Sequence, residues 1–196
     1  MFNIQALFLR ALLALAIASG APAALAGPIY RVSVDTSAFA GSTGFLDLGL
    51  NGRGDVAGFA HVDNFTGDFL AGSLTLGGAS GDIVNGVKLR NTEEWNFFDQ
   101  QVNFGGLFSF DVRIEVPEGE HGLLFSVALF NDAMDAYLGA ADNLFTIDVA
   151  PGLPAVVEVV ARDLVNHTEI PEPSDWLLLA TGLLLIGSTR RFQLRR

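Results

Sequence analysis

The chain has 196 residues, half of them hydrophobic, with 22 glycines, no cysteine and a formal net charge of −11. Without cysteine, neither a disulfide framework nor thiol chemistry is open to it. Between its two apolar ends, residues 27–170 carry six Lys/Arg against 20 Asp/Glu, hence −14, which excludes nucleic acid as a partner because neutralising phosphates takes Lys and Arg.

Residues 1–26 read as a secretory signal peptide. Arg10 is the lone cation, Ala11–Ala18 is the apolar stretch, and the small-residue region SGAPAALAG follows. Ala24 and Ala26 supply an A-x-A match, so cleavage after Ala26 leaves Gly27 as the first mature residue. The apolar part is too short to span a bilayer. General secretion machinery is the implied partner.

Residues 27–165 form the predicted domain, and the period there is two nearly everywhere. Tyr30, Val32 and Val34 alternate with Arg31, Ser33 and Asp35. Phe108, Phe110, Val112 and Ile114 alternate with Ser109, Asp111 and Arg113, and Phe145, Ile147 and Val149 alternate with Thr146 and Asp148. Such alternation marks strands with one face on a core and one in water. Further strands are predicted at 44–50, 56–62, 69–76, 82–90, 95–104, 122–130 and 155–163. Turn signals separate them, among them Asn51-Gly52, Gly77-Gly78 and Asn85-Gly86. Asp132–Ala141 carries the longest helical stripe, and it is short. The expected fold is all-β, an antiparallel β-sandwich of jelly-roll kind, with an up-and-down barrel as the alternative. Most of the sixteen phenylalanines should fill the layer between the sheets.

Chemistry-bearing patterns are sparse in this body. His61, His121 and His167 stand apart in sequence, and no G-x-S-x-G or H-E-x-x-H motif occurs. Glu93 and Glu94 precede Trp95, but neighbours in a strand point to opposite faces and cannot flank one substrate. These features argue against an enzyme. Calcium is the candidate cofactor, because Asn131, Asp132, Asp135, Asp142 and Asn143 gather oxygen ligands between two strands. A shorter group, Asp63, Asn64, Thr66 and Asp68, reads equally well as a turn. Trp95, Phe97 and Phe98 are candidates for a sugar-stacking platform, with core filling as the default role of phenylalanine.

Residues 166–175 are predicted to be a linker, with Leu164–Ile170 as the tether that leads into Pro171-Glu172-Pro173. This triplet is stiff and extended, because proline fixes φ and bars the preceding residue from the helical region. Residues 176–189 then form an apolar helix beginning at Trp176, an aromatic suited to a membrane interface. At about 1.5 Å per residue it spans roughly 21 Å, a marginal anchor for a hydrocarbon core of about 30 Å. Residues 190–196 carry Arg190, Arg191, Arg195 and Arg196, which resist crossing and keep the tail cytoplasmic.

In this order, rigid motif, apolar helix and basic cluster resemble the PEP-CTERM sorting signal of Gram-negative bacteria that make exopolysaccharide. The resemblance covers residues 170–196. It implies exosortase as a partner and transient anchoring in the inner membrane, followed by delivery to the cell surface or the extracellular polymeric matrix. The expectation is thus a non-enzymatic, exported, exopolysaccharide-associated protein. A lectin-like module using calcium and a small secreted hydrolase are the alternatives.

Overall fold

Alternation of apolar and polar residues becomes twelve β-strands in the computed structural model, which describes residues 28–52, 57–117 and 121–170. In chain order they are β1 (Ile29–Asp35), β2 (Thr43–Gly52), β3 (Phe59–Thr66), β4 (Phe69–Leu76), β5 (Gly78–Asp82) and β6 (Gly86–Arg90). The series continues with β7 (Phe97–Asn103), β8 (Leu107–Glu115), β9 (Leu123–Asn131), β10 (Phe145–Val149), β11 (Val156–Val159) and β12 (Val165–Ile170). A 3₁₀ turn at Ser37–Phe39 is the sole helical element among the described residues, where no helix is long and apolar enough to cross a membrane.

Two six-stranded antiparallel sheets result. Sheet I has the order β12-β1-β8-β3-β6-β5, and sheet II the order β11-β10-β9-β2-β7-β4. Because β1 lies on β8, β2 on β7 and β3 on β6, the chain runs out through β1–β4 and returns through β5–β8 as one long hairpin. Its tip is Gly77, where the chain passes from sheet II to sheet I. Gly77 has φ +62°, and a Cβ there would collide with the Trp95 carbonyl oxygen, so glycine alone makes this corner.

The core lies between the sheets. Val32, Val34, Phe108, Phe110 and Val112 enter it from sheet I, and Leu46, Leu48, Leu50, Phe98, Phe125, Phe145 and Ile147 from sheet II, all fully or almost fully buried. Phe108 meets Phe69 edge-on, with ring centres 5.2 Å apart, which is the favoured aromatic geometry. Two buried amides hold loops to this core. Asn96 donates to the carbonyls of Leu50 and Glu93 and accepts from the N–H of Gly78. Gln100 points inward from β7 and donates to the carbonyls of Leu70 and Gly72, where β4 departs from regular pairing.

The expected strand 107–116 is present, with Phe108, Phe110, Val112 and Ile114 buried as the alternation required. Three expectations need correction. The single strand predicted at 82–90 is two strands around a hairpin turn, because the Asp82 carboxylate accepts the N–H groups of Val84 and Asn85 and reverses the chain there. Asp132–Ala141 holds turns and bends instead of a helix. Val165–Ile170 is not a tether: it is β12, paired along its length with β1, so the linker predicted to start at residue 166 begins no earlier than residue 171. The predicted signal peptide and cleavage residues Ala24, Ala26 and Gly27 lie outside the described residues, as do Pro171, Glu172, Pro173, the apolar helix and the four tail arginines.

Phe110 is fully buried and its ring centre lies 5.8 Å from that of Phe65. Phe110→Ala should therefore cost about 3–5 kcal/mol of folding stability, read by chemical denaturation. A loss below about 1 kcal/mol would contradict this placement.

Candidate functional site

The outer face of sheet II is unusual for a solvent face. The strand register alone defines its rows, since residues paired across neighbouring strands share a side. One row runs Leu74, Asp99, Asp47 and Ala128 across β4, β7, β2 and β9. On one flank lies the row Leu76, Phe97, Gly49, Ser126 and Thr146, and on the other Gln101, Phe45 and Phe130. Two carboxyl groups thus sit opposite each other between two aromatic rows. Those rows lie four residues apart along each strand, about 14 Å.

The first aromatic ledge is built from Trp95 and Phe97. Their rings stack with centres 6.0 Å apart and planes 20° apart, and Trp95 is 56% exposed. Phe97 lies flat across Gly49, where a Cβ would come within 2.7 Å of the ring and 2.5 Å of Ser126 Oγ. Glycine at position 49 is therefore what lets the ring lie down. Phe98, the next residue, points the other way and is fully buried. The second ledge is Phe130 with Tyr137, whose ring centres are 4.4 Å apart. Exposed Leu74 and Leu76 extend the apolar surface at the β4 edge.

Between the ledges, Asp47 is only 5% exposed and Asp99 half-buried. Burial, then the hydrogen bond and charge of Asp99, push the Asp47 carboxyl up to about 9. Asp99 is also raised by burial, while the bond from Asp47 works in the opposite direction. Both carboxyls are thus held above the usual carboxylate range, and the pair shares a proton near neutral pH. One Asp99 oxygen, Oδ1, is buried without a partner, as is Oδ1 of Asn51 on the same strand face. Burial first, then Asp142 and Asp47, raise the Tyr137 hydroxyl. The face thus presents aromatic planes around a largely buried carboxyl pair that shares a proton.

The loop after β9 borders this face. Asn131 organises it: its side chain donates to Asp135 at 2.6 Å and accepts from the N–H groups of Asp135 and Ala136. Asp132 turns away from them and accepts from Thr43 Oγ1 and Gln101 Nε2. Of the five residues with calcium-ligand chemistry, then, Asn131 and Asp135 come together and Asp132 is engaged elsewhere. No group of three or more histidines and carboxylates at metal-holding distance exists among the described residues. In the shorter group, Asn64 has a left-handed φ of 55° and donates to Asp111, and Thr66 bonds the Ser109 hydroxyl beside a register shift in β3. Glu93 and Glu94 are exposed in the bend before β7, which begins at Phe97. His167 packs on Phe145, and His61 lies 3.4 Å from Asp63.

Sequence reasoning found Trp95 and Phe97 but missed Asp47 and Asp99. The available signal was Asp47 at the outward phase of the otherwise apolar Phe45–Leu50; Asp99, followed by Gln100 and Gln101, gave none. No family model, curated protein or solved structure matches this chain.

The shared proton has a measurable consequence. Asp47 ionises near its ordinary 3.8 when unfolded and near about 9 when folded, so the folded chain binds more protons between these values. That contribution to stability is complete below about pH 4 and is lost as pH rises toward 9. Asp47→Asn keeps a donor toward Asp99 without an ionisable group, so it should flatten the decline in denaturation midpoint over this range. Equal slopes for variant and parent would rule out the shared proton.

Proposed function

We propose that this is an exported, non-enzymatic glycan-binding protein of the cell surface or extracellular matrix, using the outer face of sheet II. The observation that carries this reading is the Trp95–Phe97 stack beside the Asp47–Asp99 pair. Sugar rings present apolar faces that stack on aromatic planes and hydroxyls that donate to carboxylates and amide oxygens. The aromatic rows, about 14 Å apart along the strands, suit an extended saccharide running in the strand direction. The pair holds one negative charge instead of two, which favours a neutral or weakly charged chain. The hairpin winding, with β1 on β8, β2 on β7 and β3 on β6, supports the finer description of the fold as a jelly roll.

Hydrolysis is the weaker reading of the same carboxyls. Glycosidase carboxyls stand about 5–9.5 Å apart to admit a sugar carbon or a water. Asp47 and Asp99 instead lie within hydrogen-bonding reach of each other, closer than either glycosidase geometry requires. A glycan array probed with and without EDTA tests the binding reading and the calcium alternative together. Trp95→Ala should weaken the retained glycan about tenfold. An array with no glycan retained, or equal retention by the variant, would remove the reading.

The address rests on the resemblance of residues 170–196 to the PEP-CTERM signal. In it, Pro171, Glu172 and Pro173 hold an extended peptide for exosortase, residues 176–189 keep it in the membrane plane, and Arg190, Arg191, Arg195 and Arg196 stop slippage. Cleavage after Ala26 precedes this step and frees Gly27. Glu172→Ala should then leave export intact and trap an unprocessed, membrane-associated form, visible by blotting envelope fractions. Normal processing and release of that variant would reduce the tail to an ordinary membrane anchor.

A further inference from the structure

Sheet I carries a second, chemically opposite surface. Its outward positions hold four of the six cations of the −14 body: Arg31 on β1, Lys88 and Arg90 on β6, and Arg113 on β8. A cleft of about 290 Å³ opens beside two of them, Arg31 and Arg113, lined also by Ile29, His61, Asn64 and Ile170, with Asp63 and Asp111 on its wall. Both carboxylates are already engaged. Asp111 accepts Arg31 Nε at 2.7 Å, Arg31 Nη2 at 2.8 Å and Asn64 Nδ2 at 2.8 Å, and Asp63 lies 3.4 Å from His61. Arg113 is different. It stands between His61 and Ile29 across the strands, and its Nε–H is buried with no hydrogen-bond partner.

A buried guanidinium N–H without an acceptor is costly, and native structures rarely leave one. An oxygen brought to the inner wall of the cleft would supply that acceptor. We propose that this cleft binds a carboxylate, held by the Arg113 guanidinium between His61 and Arg31. Guanidinium takes a carboxylate through two parallel N–H bonds, which a lysine ammonium cannot reproduce. Ile29 and Ile170 give the site an apolar rim that excludes water and strengthens the contact. Two sources can supply the group. One is a uronate-type acidic sugar. The other is Glu172 of this chain, since Ile170 lines the cleft and two residues reach about 7 Å. This inference does not depend on glycan binding by sheet II.

The test uses the full chain in detergent micelles, with its Glu172→Gln variant, titrated with an oligogalacturonate and with a neutral glucan of equal length. Equal binding of the oligogalacturonate by both proteins identifies an external acidic sugar. Binding by Glu172→Gln alone identifies Glu172 as the resident carboxylate. In either case Arg113→Gln should weaken binding at least about tenfold. If Arg113→Gln does not fold, Arg113→Lys, which keeps the charge and loses the Nε–H, should show the same loss. No oligogalacturonate binding by either protein up to about 10 mM, oligogalacturonate binding unaffected at position 113, or neutral-glucan binding that falls equally with that substitution would overturn the proposal.

Discussion

The register of β2 within sheet II governs both the core and the outer face. Its ten residues are paired on one side with β7 and on the other with β9. Leu46, Leu48 and Leu50 face inward and are fully buried, while Phe45, Asp47 and Gly49 face outward. A slip of one residue would send Asp47 into the core and the leucines into water, a cost of several kcal/mol at each exchanged position. The same register puts Asp47 opposite Asp99 and Gly49 opposite Phe97. The carboxyl pair and the flat-lying ring are therefore set by the hydrophobic pattern one residue out of phase with them.

Carrying Asp47 on this face has a cost. A carboxyl that is 5% exposed and held protonated gives up solvation it would have in the unfolded chain. A polar amide at position 47 or a small apolar side chain would fit without that penalty. Asp111 on sheet I shows the contrasting solution. It is equally buried, but hydrogen bonds from Arg31 and Asn64 hold its carboxyl below the usual range despite its burial. One buried aspartate is thus made comfortable as an anion and the other kept as an acid. Only the second departs from what folding alone would select, and departures of that kind concentrate where a surface has work to do.

Much of this fold was legible because period-two alternation is a local signal. The strand at Leu107–Glu115, the turn at Asn85-Gly86 and the inward phenylalanines at 108 and 110 all follow from neighbours in the sequence. What escaped was non-local. Val165–Ile170 has few apolar residues and reads as a linker, yet β1 offers it a free edge and the Phe145 ring receives His167. Asp47 and Asp99 are far apart in sequence, and only strand order makes them partners. Phe45 and Phe130 belonged to the phenylalanines expected mostly inside, but the strand phase turns them outward. Composition cannot separate a core ring from a platform ring; phase and register can.

The two sheets also divide the electrostatics of an acidic body. Four of its cations stand on the outer side of sheet I, whereas the outward strand positions of sheet II bear aspartates and aromatic rings with no cation among the described residues. Ile29 and Ile170 are paired, so the segments leading to both ends of the chain leave from neighbouring points on sheet I. A membrane attachment through the C-terminal segment would hold the molecule by that sheet. It would bring the four cations of sheet I closer to an anionic lipid surface than the carboxylates of sheet II. Neither Ile29 nor Ile170 lies in sheet II, so its aromatic rows stand on the sheet away from both of those strand ends.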